Sequence, residues 1–184
     1  MTKLPTFTSC LVIVMMIAAL SLLKSPVAAL AADKDAPAAP DAAAVERSRK
    51  TVQMLDQIYK QAIVLITDKY VHDEDDFPAG SAAVAWFDAI SKTGSHQVRL
   101  IDASGEPYEP NNVARDEFER QGVKRLKAGD ATYEQVVYDD GEPHLRVLTP
   151  VPVVMKKCVM CHPHYADAAP GEPIGAISYT MPIE

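Results

Sequence analysis

Tyr133-Glu134-Gln135-Val136-Val137-Tyr138, then Asp139-Asp140-Gly141-Glu142, then Pro143-His144-Leu145-Arg146-Val147-Leu148-Thr149 is the stretch that decides the fold. Two runs rich in β-branched and aromatic residues flank an Asp-Gly pair, which supplies the positive backbone angles of a tight hairpin. Antiparallel strands are expected over Tyr133–Tyr138 and His144–Thr149, with a last strand over Ile174–Met181. Upstream, a helix is expected over Ala114–Lys127, ended by Gly129, with Pro107 and Pro110 keeping the segment before it extended. Gln97–Ile101 reads as a strand, followed by the turn Asp102-Ala103-Ser104-Gly105.

Two helices precede that strand. Glu46–Tyr70 has no Gly or Pro, and Val52, Leu55, Ile58, Ala62, Leu65 and Ile66 recur at threes and fours. The acidic run His72-Asp73-Glu74-Asp75-Asp76, with Pro78 and Gly80, ends it. Ser81–Lys92 follows, burying Val84, Trp86 or Phe87, and Ile90, and stopping at Gly94. The order predicts an α+β fold in which helices cover one face of an antiparallel sheet.

The 184 residues are 48% hydrophobic and 23% charged, with 14 Pro, 3 Cys and a net charge of -7, which excludes collagen-like, disulfide-dense and wholly disordered chains. Lys and Arg are not clustered, so nucleic acid is not an expected partner. Lys3, the apolar run Cys10–Leu23 and the small residues Ala29-Leu30-Ala31 read as a cleaved export signal over residues 1–31. The run is shorter than the ~20 residues that span a bilayer, so no stable anchor is expected after cleavage and the periplasm is the expected compartment. Residues 32–45, rich in Ala, Pro and Asp, read as a tether, and 46–184 as the domain.

The chemistry lies in Cys158-Val159-Met160-Cys161-His162. Two thiols three positions apart can each add to a haem vinyl group, and the adjacent imidazole can bind the iron from the same turn. Chance would produce this arrangement in a chain of this composition about once in a thousand. Zinc is a competing reading, but it wants four ligands and there is no second cysteine pair. A thioredoxin-like redox pair would follow a strand in a βαβ context, and a disulfide would close a two-residue loop that constrains little. One covalent haem c, held by Cys158 and Cys161 with His162 on the iron, is the expectation.

Pro150-Val151-Pro152-Val153 leading to Lys156-Lys157-Cys158, then Gly171-Glu172-Pro173-Ile174-Gly175-Ala176-Ile177-Ser178-Tyr179, resembles a bacterial family of exported c-haem domains with a PAS-like fold. Its members stand alone or form the input domains of histidine kinases and chemoreceptors. Pro107, Asn111-Asn112 and Asp116-Glu117-Phe118-Glu119 resemble its Pro and Asn segment before an acidic-aromatic helix start. The resemblance covers about residues 46–183 and implies a haem sensor or electron carrier. In relatives a Cys on the first helix, just after an Ala-Ile pair, holds the iron from the other side. Aligning Ala62-Ile63 puts that position near Ile66, and the mature chain has no third Cys.

The distal candidates are therefore Met54, His72 and His144. His96 opens a strand, and His164 is too near His162 to reach the opposite face. Tyr59 and Tyr70 share a helical face with Ile66, where either would cap a vacant pocket or simply pack. Lys156 and Lys157 are candidates for haem propionates, for an acidic redox partner, or for plain solvation. Asp73–Asp76 lacks the Gly and terminal Glu of a calcium loop.

Two functions follow. The first is a periplasmic monohaem cytochrome passing electrons to a redox partner. The second is a redox or gas sensor signalling through a separate protein, since no output domain is expected after the last strand. Catalysis is not expected, because no polar set for peroxide cleavage is visible in the sequence.

Overall fold

With neither Gly nor Pro between Pro40 and Pro78, one helix runs unbroken through Ala42–Tyr70 (α1), and the Asp41 carboxylate caps it by accepting from the Ala44 N–H at 3.1 Å. The computed structural model describes residues 38–73 and 76–184. The expected export signal, 1–31, and the start of the expected tether lie outside the described residues. Residues 42–45 belong to α1, not to a tether: three alanines favour helix, and Ala44 is buried in the core.

The remaining elements are α2 (Ala79–Ser91), β1 (Gln97–Asp102), α3 (Glu117–Lys127), β2 (Tyr133–Asp139), β3 (Glu142–Pro152), α4 (Lys157–Cys161), a 3-10 turn (Pro163–Asp167) and β4 (Pro173–Pro182). Helix α3 starts three residues later than expected because Asp116 is its cap, accepting from the Glu119 N–H at 2.9 Å. The strands form one antiparallel sheet ordered β1-β4-β3-β2. In the hairpin Asp139 pairs with Glu142, and Asp140 and Gly141 take φ of 49° and 86°, the two positive angles of a type I′ turn.

Alternation along the strands sorts the core into two halves. Leu145, Val147, Ile177 and Tyr179 face α1 and α2, packing against Val52, Tyr59, Ala83 and Phe87. Leu148, Ala176 and Ile101 face the other way, against Phe118 and Leu126 of α3. Helices thus cover both faces, which corrects the one-face expectation: the out-of-phase strand residues are apolar too and need a cover of their own. On α1 the inward stripe is Val52, Leu55, Tyr59 and Ile63, while Ile58 and Leu65 are 51% and 55% exposed. Both stripes have helical spacing, and the one carrying the large Tyr59 is buried.

This arrangement, a long N-terminal helix and covering helices about an antiparallel sheet, is α+β and PAS-like.

Candidate functional site

After β3 the chain turns into α4, where Met155 and Lys156 carbonyls accept from the N–H groups of Cys158 and Val159 at 3.1 Å each. Residues three apart share a helix face, so Cys158 and Cys161 project together, and both thiols are free and half-buried. His162 leaves the helix at φ -129° and ψ 76°, with Pro163 starting the next turn. Its ring stacks on Tyr165, centroids 4.5 Å apart, and meets the edge of Tyr108 at 5.6 Å. Burial holds the His162 imidazole below its ordinary pKa, His164 beside it adds to the effect and Asp102 opposes it. The ring is neutral at pH 7, with a lone pair to offer a metal. Tyr165 is pushed up to about 12 by burial, then by Asp102 and Cys158, so it stays a neutral phenol.

Cys158, Cys161, His162 and Tyr165 form one wall of a cavity of about 630 Å³. A helical stripe of α1, Lys60, Ile63, Val64 and Thr67, lines the cavity too, joined by Val71 at its end. Ala83 and Val84 of α2, Leu100 of β1, Val151 and Ile174 complete an apolar lining. Arg115 and Asn111 line it too, both solvent-exposed, and Arg115 enters none of the ion pairs among the described residues. Lys60 is anchored by Asp56 at 2.8 Å, whose other oxygen accepts from Thr149 at 2.5 Å and Tyr179 at 3.1 Å.

The structure brings Cys158, Cys161 and His162 together and leaves the three distal candidates outside the cavity. Met54 is 54% exposed on the outward stripe of α1 with Ile58. His72 is exposed just beyond α1. His144 lies at the start of β3, opposite the Val151 end that lines the cavity, with Nδ1 3.1 Å from the Glu142 carbonyl oxygen. Ile66 does not line the cavity either; Ile63, Val64 and Thr67 do. Tyr59 is a core residue bonded to His96, and Tyr70 is 73% exposed. Lys157 reaches the carbonyl of Asp68, so it closes α1, whereas Lys156 is exposed. Among the described residues, no group of three or more His, Cys, Asp and Glu gathers as a metal site, and no helix is long and apolar enough to cross a membrane.

Sequence reasoning missed Lys60, Thr67, Tyr108, Arg115 and Tyr165. The first two were legible as members of a spacing of three and four through Ile63. Tyr108 and Arg115 come from a loop and its end, where no periodicity marks them.

Two free thiols and a neutral imidazole line one largely apolar cavity of a PAS-like domain. A family model described as Tll0287-like matches residues 37–182, and the chain belongs to that family. Its fold is similar to that of the structure described as "Crystal structure of the cyanobacterial heme-protein Tll0287", with a TM-score of 0.54. That match covers 74% of this chain and 95% of the other at 14% sequence identity, a likeness of fold. No curated protein matches.

Proposed function

We propose that this chain is an exported c-type haem domain, a redox and ligand-responsive module of the periplasm and not an enzyme. One haem is held by thioether bonds from Cys158 and Cys161, with His162 on its iron. The observation that carries the reading is that both thiols and the imidazole line one cavity of about 630 Å³, within the size range of cofactor pockets. The lining fits the group. Ile63, Val64, Val84 and Leu100 suit an apolar macrocycle, and Arg115, in no ion pair among the described residues, offers a cation to its carboxylates. That a protein of the same fold is described as a heme-protein supports it further.

Bound there, haem supplies one-electron redox chemistry and an iron that takes axial ligands. Tyr165 and Tyr108 fix the plane of the His162 ring from its face and edge. The side chains of Ile63, Val64 and Val84 present an apolar surface to the cavity. Lys60 presents an ammonium group held in place by Asp56. Ile63, Val64, Thr67, Ala83 and Val84 of α1 and α2 line the cavity, and a haem held there by Cys158, Cys161 and His162 would supply an iron able to take up a small molecule beside them. Output then passes to a separate signalling partner.

The exposed Lys156, immediately before the attachment helix, favours a second reading, electron transfer to an acidic redox partner docked at that edge. Absorption spectra of the ferrous protein with and without carbon monoxide separate the two. The ligand-responsive reading expects a high-spin ferrous spectrum that shifts when the gas is added. A low-spin spectrum indifferent to the gas overturns it and leaves the electron carrier.

A further inference from the structure

Tyr59 and His96 form a buried pair outside the cavity, 5% and 7% exposed, with the phenol oxygen 3.0 Å from Nε2. Nε2 of His96 is the one acceptor bonded to the Tyr59 hydroxyl among the described residues, so the phenol donates and Nε2 carries the lone pair. That tautomer puts the ring proton on Nδ1, which donates to the Ser95 hydroxyl at 3.1 Å. Around the phenol, Trp86 lies at 5.1 Å, Phe87 at 5.3 Å and the stacked ring of Tyr179 at 6.3 Å between centroids. Tyr59 precedes Lys60 in α1 and sits one turn from Ile63, both of which line the cavity.

We propose that Tyr59 is a redox-active tyrosine, which surrenders one electron to a strong oxidant while its hydroxyl proton passes to Nε2 of His96. The O–H bond breaks, an N–H bond forms, the oxidant gains one electron, and a neutral phenoxyl radical faces an imidazolium whose Nδ1–H remains bonded to Ser95. The oxidants that call for such a donor are peroxide-derived radicals, which gain the single electron and become closed-shell anions, and their origin at the cavity alone rests on the haem reading. The pair then works as a safety valve, drawing oxidising equivalents into an aromatic cluster and away from the thioether and imidazole attachments. Burial raises the Tyr59 pKa and lowers that of His96, so both start neutral, as the transfer requires.

The test is rapid-freeze electron paramagnetic resonance of the full-length exported protein, oxidised by photogenerated tris(bipyridine)ruthenium(III). The wild type is expected to give a hydrogen-bonded tyrosyl radical that Tyr59→Phe loses, even if exposed tyrosines contribute signals common to both. His96→Gln keeps a hydrogen-bonding side chain but removes the base, and its radical should form about a hundredfold more slowly. Circular dichroism confirms that each variant is folded, and His96→Asn serves if the Gln variant is not. Radical formation unchanged in Tyr59→Phe or in the folded His96 variant overturns the proposal. A colourless preparation that still gives the Tyr59 radical keeps it and overturns the haem reading, while a pigmented one without the radical does the reverse.

Discussion

Nζ of Lys157 lies 2.7 Å from the backbone carbonyl oxygen of Asp68, so the lysine before Cys158 closes the C-terminal turn of α1. The last carbonyls of a helix lack intrahelical partners and attract a cation. This contact ties α4 to the end of α1, whose Thr67 lines the same cavity. Lys157→Met keeps the aliphatic stem and removes the charge. Urea unfolding should show a loss of about 1 kcal/mol with an unchanged slope. An unchanged midpoint would show the contact to be idle.

Asp56 joins three elements through Lys60, Thr149 and Tyr179. Tyr179 is fully buried, and burial, then Asp56 beside it, hold its phenol far above the ordinary range, so it stays a donor. Asp56→Ala leaves that hydroxyl and the one on Thr149 without their acceptor and should cost about 3 kcal/mol. Asp56→Asn keeps an acceptor oxygen and should cost about 1 kcal/mol. Equal losses in the two variants, measured by urea unfolding, would contradict this ranking.

Gly122 of α3 lies against the sheet, where an added Cβ would meet Leu148 Cδ2 at 2.6 Å and Tyr133 Cδ1 at 3.0 Å. Alanine gains about 1 kcal/mol of helix propensity, but overpacking costs roughly 1–3 kcal/mol. Leu148 is fully buried and has little room to yield, so Gly122→Ala should be destabilising by about 1 kcal/mol. A raised melting temperature would mean that the Leu148 side chain moves freely.

His96 carries a pH dependence. Its pKa is lowered by burial in the folded protein, so the unfolded chain binds the proton more readily. Stability from this group is complete above the unfolded value of about 6.5 and falls as pH drops from there through the lowered folded value. His96→Gln removes that component. Melting temperatures of wild type and variant should therefore diverge least at low pH and most at neutral pH. Parallel curves between pH 7 and pH 5 would contradict it.

Local chemistry wrote much of this fold into the sequence. The Asp140-Gly141 turn, the Gly-free and Pro-free run of α1 and the strand ending at Pro182 all follow from neighbouring residues. The second covered face was legible only as a phase: Leu148 falls out of step with Leu145 and Val147, and an alternation count that stops at the first apolar stripe passes over it. At the site, Cys158, Cys161 and His162 are adjacent in sequence, so spacing alone brings them together. The α1 part of the lining depends on how that helix rotates against the sheet. That rotation is decided by the fit of Tyr59 beneath Trp86 and Phe87, and it turns Met54 outward and Lys60 inward.

Whether Cys158 and Cys161 carry a cofactor through covalent bonds is read off by intact-mass spectrometry of the protein purified after export, under denaturing conditions. The wild-type polypeptide should be heavier than its amino acids by one haem, with the Cys158→Ser, Cys161→Ser double variant at the bare polypeptide mass. A wild-type mass equal to that of the bare polypeptide would contradict it.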